Sequence, residues 1–304
     1  MKKSNQHYLE YMLVLFLEKL TLTMSLKSRH KLAAYLSSLF YHLIPIRKQV
    51  VKKNLKNSFP EKSENWYDRT TKQTYFHFLR TYLDLFPGHK DPPEKFKKYV
   101  NMHNQEKLDK IIEENKGAII VLFHFGNWEI PGAWISRNNY YAACLYREQS
   151  NSYVDQKLLE ARTWNDGILL PMDTSPLKLM KIIKNKGLLL MISDQDARDS
   201  GIFVNFFNQP SSSYRGPALF ALRRQVPLIA MTSIWNGEEY EIRLKTIDTT
   251  GMKPSKANIQ KIMQKYTNYF EEKIKKYPEQ YYWLHRRWKT KPNNHKKNQS
   301  YYNG

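Results

Sequence analysis

The sequence predicts an α/β fold with a mostly parallel sheet flanked by helices. Short apolar runs recur along residues 96–246, and segments with helical periodicity separate them. This alternation is typical of a parallel sheet with helices packed on its faces. The clearest strand is residues 118–123, where six consecutive apolar residues indicate a strand that is buried on both sides.

The remaining elements follow from the same patterns. The run at 240–246 alternates apolar and charged residues, so we expect an antiparallel or edge strand with one wet face. The expected strands are 96–102, 118–123, 140–146, 168–170, 188–193, 227–235 and 240–246. The expected helices are 105–114, one beginning near residue 129, 152–164, 176–185, 214–224 and 257–277.

Residues 6–86 are expected to be helical, because apolar residues recur there at helical spacing. Pro87 and Gly88 should stop the last of these helices, and Asp91-Pro92-Pro93 should form a linker. We therefore divide the chain into three parts. These are an N-terminal helical, membrane-interfacial region at 1–90, an α/β domain at 91–292, and a basic, disordered tail at 293–304.

Positive charge is concentrated at the two ends of the chain. Of the net charge of +21, residues 1–60 carry +9 and residues 252–304 carry +10. This segregation predicts basic faces and an anionic partner.

Cys144, the single cysteine, excludes an intrachain disulfide, and no Cys/His spacing indicates zinc. The sequence lacks the nucleotide-binding P-loop and the serine-hydrolase elbow, so those enzyme classes lose support. We expect no metal and no organic cofactor.

Two uncharged apolar runs, 11–17 and 32–46, fall short of the roughly 18 residues that a membrane-spanning helix needs. We interpret residues 6–46 as one or two apolar helices that rest in the membrane interface between basic flanks. The alternative is an ordinary helical hairpin packed on the rest of the chain. The basic flanks favour the membrane.

A histidine and a carboxylate follow the clearest strand. His124 comes directly after it, Gly126 and Asn127 can turn the chain, and Glu129 follows five positions after the histidine. Ligands of parallel sheets bind where strands end. We expect His124 to be a general base whose tautomer Glu129 fixes. Backbone amides around Gly126 and Asn127 would bind the oxyanion. The simpler alternative is a core histidine with a surface glutamate.

Two further candidates follow neighbouring strands. Arg147 comes after the strand at 140–146 and suits bidentate phosphate binding, or else a surface ion pair with Glu148. Asp194 comes after the strand at 188–193 and is expected either to hold Arg147 or His124, or to cap the next turn.

Near the C-terminus, Arg286 and Arg287 lie between Trp283 and Trp288. Bases interleaved with aromatic residues suit anionic lipid headgroups, and they also suit nucleic acid. The two tryptophans could equally be core residues.

Together these motifs resemble the bacterial lipid A late acyltransferases, a family of the lysophospholipid acyltransferase-like group. His124-Phe-Gly-Asn-Trp-Glu129 after its strand resembles the H-x4-E motif of that family. Tyr146-Arg147, the stretch 193–196 and the long stretch 278–290 match in the same order. The resemblance covers residues 25–292. Arg286 and Arg287 match the end motif of the family, which implies a structural or substrate-phosphate role.

The resemblance implies an O-acyltransferase that acts on the cytoplasmic face of the inner membrane of a Gram-negative bacterium as a peripheral or monotopic protein. The donor would be an acyl carrier protein thioester, or coenzyme A, and the acceptor a hydroxyl of a lipid A precursor. His124 would be the base, Glu129 its partner, and Asn127, Arg147, Asp194, Arg286 and Arg287 substrate-binding residues. No cofactor is implied.

One departure puts the acceptor in question. The family pattern has an arginine-rich, glycine-containing stretch near residues 160–172, whereas 160–167 contains only Arg162 as an arginine. The acceptor could instead be another membrane lipid, such as an aminolipid or a phosphatidylinositol mannoside-like glycolipid. From a different class, the chain could be a non-catalytic basic protein that binds membrane or nucleic acid, although its apolar N-terminal helices speak against nucleic acid.

Overall fold

The computed structural model describes residues 2–114, 117–163 and 166–292. Its helices are α1 (Lys2–Thr23), α2 (Leu26–His42), α3 (Lys48–Ser58), α4 (Glu64–Leu83), α5 (Leu85–Lys90), α6 (Pro93–Phe96), α7 (Gln105–Glu113), α8 (Ile130–Arg137), α9 (Ser152–Arg162), α10 (Pro176–Lys184), α11 (Gly216–Arg224) and α12 (Lys256–Lys276). Its strands are β1 (Val100–Met102), β2 (Ala118–Leu122), β3 (Ala142–Tyr146), β4 (Ile168–Pro171), β5 (Leu188–Ile192), β6 (Ile202–Phe206), β7 (Gln209–Ser213), β8 (Leu228–Trp235) and β9 (Tyr240–Ile247). The predicted tail at 293–304 lies outside the described residues.

Seven strands form one sheet in the order β1-β9-β8-β2-β5-β3-β4. All pairs in it are parallel except β8 with β9, which are antiparallel. The predicted mostly parallel α/β fold is therefore confirmed, as is the antiparallel pairing of the strand near residue 240. Strand β2 is completely buried in the centre of the sheet, as its continuous apolar sequence requires.

Helices cover both faces of this sheet. On one face, alternate residues of β2 and β5, such as Val121 and Met191, pack against α10, α11 and α12. On the other face, Leu122 and Leu190 pack in a second core together with α8. Buried residues of α3 and α4, including Leu55, belong to the first core. These N-terminal helices therefore share the hydrophobic core of the sheet.

Two local predictions were wrong, and proline position explains both. Pro87 and Gly88 do not end a helix; they lie inside α5, which begins after α4 ends at Leu83. Proline fits there because the N–H groups of the first helical turn need no intrahelical partner. The expected strand at 96–102 is shorter, since Pro93 is the first residue of α6 and the strand begins only at Val100.

A hairpin of β6 and β7 escaped the sequence analysis. Its second strand reads Gln-Pro-Ser-Ser-Ser, which lacks the apolar alternation that marks a strand. Phe207 and Asn208 both have positive φ, as the tight turn of a two-residue hairpin requires. Gln260 of α12 donates to the carbonyl oxygen of Phe203 at 2.8 Å, which fastens the hairpin to that helix.

A buried ion cluster joins the N-terminal helices to the sheet. The Arg29 Nε of α2 lies 2.6 Å from Asp84 Oδ1, and both side chains are completely buried. His30 and the Tyr240 hydroxyl contact the second oxygen of Asp84 at 3.1 and 2.6 Å. Burial alone would raise the pKa of Asp84, but its hydrogen bond to His30 and the charge of Arg29 outweigh burial and lower it.

We expect Arg29→Met to lower the free energy of unfolding by about 3 kcal/mol or more, because it leaves the Asp84 carboxylate buried without its guanidinium partner. Urea denaturation followed by circular dichroism measures this loss. Lys56→Met is the control, since Lys56 pairs with Glu64 at the surface and such pairs contribute under about 1 kcal/mol. Equal losses in the two variants would contradict the role of the buried cluster.

Candidate active site

The central strands bring His124 and Asp194 together. Strands β2 and β5 are parallel and in register, with Leu122 opposite Ile192 at their ends. His124 and Asp194 each follow two residues later. The Nδ1 atom of His124 lies 2.7 Å from Asp194 Oδ1, and the backbone N–H of His124 donates to Asp194 Oδ2 at 3.1 Å. The sequence analysis had left the partner of Asp194 open between His124, Arg147 and a turn, and the structure places it on His124.

This contact determines how His124 can act. Asp194 is almost completely buried, whereas the His124 ring is 19 % exposed. Burial would raise the pKa of Asp194, but the nearby His124 and Arg287 outweigh burial and lower it, so the carboxylate is ionised at neutral pH. The ionised Asp194 accepts a hydrogen bond from the Nδ1–H of His124. In the neutral imidazole the Nε2 atom then carries no proton and can accept one.

Glu129 has a different partner from the one expected. Its two carboxylate oxygens accept from Nε and Nη2 of Arg162 at 3.0 and 2.8 Å, and His89 Nε2 lies 3.7 Å away. The predicted pairing of His124 with Glu129 is therefore replaced by two separate pairs. The physical reason is position, since Glu129 comes after the turn at Gly126 and directly precedes α8, whereas Asp194 follows the end of the neighbouring strand β5.

Arg162 and His89 are site residues that the sequence analysis missed. Arg162 is the last residue of α9, and His89 belongs to α5. Burial opposes the charge of Glu129, but Arg162 and His89 outweigh burial and hold the pKa of this carboxyl far below its ordinary value. The only available signal was that Arg162 is the sole arginine where the family pattern has several.

The turn after His124 is structural. The Gly126 amide donates to the Gln280 carbonyl, and the Asn127 amide to the Ser233 carbonyl, both at 2.9 Å. Gly126 has a φ of +64°, and a Cβ there would lie 1.8 Å from the Ser233 oxygen. The two amides expected to bind an oxyanion are thus already occupied.

The side chain of Asn127 is buried, and its Oδ1 accepts from the Glu129 amide at 3.1 Å. Asn127, predicted to bind substrate, is instead a turn residue whose side chain holds the backbone just before α8.

The three predicted arginines lie in different surroundings. Arg147 is exposed and lines the large cavity described below. Arg286 is exposed on the C-terminal segment. Arg287 is 2 % exposed and donates to Ser211, Ser212 and Ser213 of β7. A substrate role for Arg287 does not fit this position, because its guanidinium is committed to the hairpin.

Aromatic residues enclose the His124 ring. Tyr282 lies 5.7 Å from it and Trp128 5.1 Å, measured between ring centroids. The Tyr282 amide also donates to the His124 carbonyl at 2.9 Å. The stretch around Tyr282, which the sequence analysis singled out, therefore fixes the backbone of the histidine. Buried Trp283 and Trp288 of the same stretch are core residues.

A cavity of about 550 Å³ opens beside His124 and runs into the protein between the sheet and its helices. Its polar end contains Glu129, Arg162 and His89. The remaining walls are mostly apolar or small residues from α8, β3, β5, α10 and α11. They include Gly132, Ile135, Ser136, Ala142, Cys144, Leu145, Leu179, Leu190, Met191, Gly216, Pro217 and Phe220. Burial raises the pKa of Cys144 to about 12, so its thiol is protonated at neutral pH.

Within residues 2–114, 117–163 and 166–292, no three His, Cys, Asp or Glu side chains are grouped as a metal site requires. Nor do these residues include a helix long and apolar enough to cross a bilayer.

A histidine hydrogen-bonded to a buried carboxylate, at the end of a parallel strand and beside a cavity with largely apolar walls, is an arrangement typical of an enzyme active site. Residues 1–290 match the family described as bacterial lipid A biosynthesis acyltransferase. Since the match covers nearly the whole chain, the protein belongs to this acyltransferase family.

Relatives with named activities are distant. A phosphatidylinositol mannoside acyltransferase of Mycolicibacterium smegmatis is 23% identical over 183 residues, which is 58% of this chain and 58% of that protein. A protein of Mycobacterium tuberculosis with the same name is 22% identical over 187 residues, 60% of this chain and 57% of that protein. The chain thus spans just over half the length of these relatives. The lipid A biosynthesis palmitoleoyltransferase of Escherichia coli is 20% identical over 249 residues, 81% of this chain and 80% of that protein.

The Glu129–Arg162 pair predicts a pH-dependent contribution to stability. Because the folded-state pKa of Glu129 is lowered, the native state binds fewer protons than the unfolded state, so stability rises with pH. The contribution is complete above the unfolded pKa of about 4.3 and is lost as the pH falls towards the folded value. Glu129→Gln should therefore be less stable than wild type by about 3 kcal/mol at neutral pH.

The measurement is urea denaturation of both proteins over a pH series. The difference between them should shrink as the medium becomes more acidic than about pH 4. Glu64→Gln, which changes an exposed carboxylate, is the matched control and should differ from wild type by under about 1 kcal/mol throughout. A difference that grows on acidification would show that Glu129 is not held ionised by Arg162.

Proposed function

We propose that this protein transfers a fatty acyl group from a thioester donor to a hydroxyl of a lipid A precursor or a related glycolipid at a membrane surface. The observation that carries the proposal is the His124–Asp194 hydrogen bond at the mouth of the apolar cavity. Membership of the acyltransferase family supports the reaction class.

The chemistry follows from the free acceptor on His124. Nε2 takes the proton of the acceptor hydroxyl while its oxygen attacks the thioester carbonyl carbon. The resulting tetrahedral oxyanion collapses, the carbon–sulfur bond breaks, and the thiolate leaves. The imidazolium then returns its proton to that sulfur, so the products are an ester and a thiol. Asp194 holds the ring and stabilises its positive charge throughout.

Glu129 acts through Arg162 in this scheme. The carboxylate fixes Nε and Nη2 of the guanidinium in a bidentate pair, and the arginine lines the same cavity as His124. A fixed cation in a poorly solvated site attracts negative charge more strongly than it would in water. Arg162 is thus suited to attract a substrate phosphate or the developing oxyanion, with Glu129 as its positioning residue.

The cavity suits the hydrocarbon chain of the donor. Its volume lies within the range of natural ligand pockets, and its walls away from Glu129 are mostly apolar. Burying each methylene group contributes about 0.8 kcal/mol, so burial of a long acyl chain in the cavity is favourable. We take the donor to be acyl carrier protein, with coenzyme A as the alternative. The carrier protein is acidic, which fits a net charge of +21 on this chain.

Arg147 is the candidate residue for binding the acceptor. This exposed arginine lies at the end of β3 beside the cavity, where it can bind a phosphate of the acceptor bidentately. A lipid A precursor and a phosphatidylinositol mannoside both present phosphate next to hydroxyl groups. The mycobacterial relatives make the mannoside-like acceptor the second candidate.

Such acceptors are membrane lipids, so we expect the protein to work as a peripheral enzyme on the cytoplasmic face of the inner membrane. Several large apolar side chains are exposed on α1, including Leu9 and Phe16. Exposed apolar groups of this kind bind in the interface of a bilayer without crossing it.

We expect His124→Ala and Asp194→Asn each to lower the transfer rate by about a thousandfold or more, since one removes the base and the other its orientation. Purified proteins are incubated with an acyl carrier protein thioester and a tetra-acylated lipid A precursor. Mass spectrometry detects one added acyl group. Asp199→Asn, an exposed carboxylate, is the control and should transfer at the wild-type rate.

Each variant should keep the circular dichroism spectrum of the wild type, so that a lost rate is not a lost fold. A near wild-type rate in His124→Ala or Asp194→Asn would remove that residue from the mechanism. If wild type adds nothing to the lipid A precursor, the same assay with a phosphatidylinositol mannoside decides between the two acceptors.

A glycine in the cavity wall predicts chain-length selectivity. A Cβ added at Gly132 would meet no atom within 4 Å, so a larger side chain there must occupy cavity space. We expect Gly132→Leu to disfavour long donors by about fourfold for each methylene group that it displaces. Competition between acyl thioesters of different lengths measures this preference.

Gly216 provides the matched control on the opposite side of the cavity. A Cβ there would already touch Met191 Sδ at 3.5 Å, so that side is filled. Gly216→Leu should lower the rate for donors of every length alike. A shift towards short donors in Gly216→Leu, and none in Gly132→Leu, would mean that the chain lies against α11 and not α8.

A further inference from the structure

The outward face of α1 is an exposed apolar stripe. Its large side chains recur one or two turns apart along one side of the helix, and each is between 46% and 70% exposed. They are Tyr8, Leu9, Met12, Leu13 and Phe16. We refer to these five residues as the α1 stripe. A contiguous apolar patch that is exposed to solvent is typical of a binding site for a protein or a membrane.

The opposite side of α1 is fastened to α9 and α5. The Asn151 side chain, which caps α9, donates to the His7 carbonyl at 2.8 Å and to Glu10 at 2.9 Å. Glu18 is 7% exposed and forms ion pairs with two lysines. Lys90 of α5 lies 2.5 Å from one of its oxygens, and Lys157 of α9 lies 3.1 Å from the other.

These two helices hold the partners of Glu129. Lys90 directly follows His89, and Lys157 precedes Arg162 on the same helix. Both His89 and Arg162 contact the Glu129 carboxylate inside the cavity. Glu18 therefore connects α1, through two ion pairs, to the two elements that position the polar end of the site.

The chemistry of the α1 stripe fits a lipid surface. Tyr8, Tyr11 and Tyr153 of α9 form a group of neighbouring rings, with centroids 6.5 and 5.7 Å apart, and tyrosine favours the bilayer interface. Lys19 is exposed one turn beyond the stripe. Residues 1–60 carry a net charge of +9, which attracts anionic lipids.

We propose that the α1 stripe docks on an anionic lipid surface, and that docking, transmitted through Glu18, orders α5 and α9 and so sets Arg162 and His89 against Glu129. This deepens the proposed function, on which it rests, by making the cavity of the enzyme responsive to the membrane that holds its acceptor. A membrane that binds the docked arrangement better than the undocked one shifts the population towards it.

The docking half is tested with vesicles of phosphatidylethanolamine and phosphatidylglycerol. The double variant Leu13→Ser/Phe16→Ser should bind at least about tenfold more weakly in co-sedimentation, because two large apolar side chains no longer enter the interface. Leu177→Ser is the control: it removes an exposed leucine of α10, outside the N-terminal helices, and should bind as wild type does. Equal loss in the control, or a protein dimer whose formation needs the stripe, would overturn the proposal.

The coupling half is tested with Glu18→Gln, which keeps the stripe but weakens both ion pairs. In wild type, vesicles should slow amide hydrogen exchange in α9 by about tenfold or more, since local opening is suppressed in an ordered helix. Glu18→Gln should still sediment with vesicles and should lose that protection. Glu113→Gln, which changes an exposed glutamate on α7, should behave like wild type.

Retained protection of α9 in Glu18→Gln would overturn the coupling. This exchange measurement needs no substrate, so it is decided independently of the acyltransferase activity. In the transfer assay, wild type should turn over the acceptor at least about fivefold faster in vesicles than in detergent micelles, and Glu18→Gln should lose this ratio. A wild type that protects α9 but transfers nothing to any lipid would contradict the proposed function alone.

Discussion

The in-register parallel pairing of β2 and β5 is the constraint on which the site depends. Leu122 lies opposite Ile192, so the residues that follow the two strands leave the sheet side by side. His124 and Asp194 are these residues, and they meet at 2.7 Å without any special loop. A slip of one residue would turn their side chains to opposite faces.

The two acidic residues of the site have different partners because they lie at different distances from the strand ends. Asp194 follows the end of β5 and is hydrogen-bonded to His124. Glu129 lies beyond the turn and fixes Arg162 at the polar end of the cavity. Each carboxylate is largely buried, and each is kept ionised by a positively charged or hydrogen-bonding neighbour that outweighs the effect of burial. A histidine and a fixed cation are thereby placed beside one largely apolar cavity.

The C-terminal segment at 282–287 holds this arrangement in place through hydrogen bonds. The Tyr282 amide holds the His124 carbonyl, and Asn54 of α3 donates to the carbonyls of Trp283 and His285 at 2.7 and 2.8 Å. Arg287 fastens the same segment to β7. The string of bases and aromatic residues that suggested headgroup or nucleic-acid binding is thus mainly a structural clamp. Arg286 alone among its predicted binding residues faces the solvent.

The sequence by itself determined the mostly parallel α/β fold, the central strand and the histidine that follows it, because continuous apolar runs admit few other structures. It also placed Arg147 and Asp194 at strand ends. The pairing of charges was decided only by tertiary structure. H-x4-E places His124 and Glu129 close along the chain, yet strand register joins His124 to a residue seventy positions away. Arg162 and His89 reach Glu129 from separate helices, and such a meeting of distant elements leaves no local pattern to read.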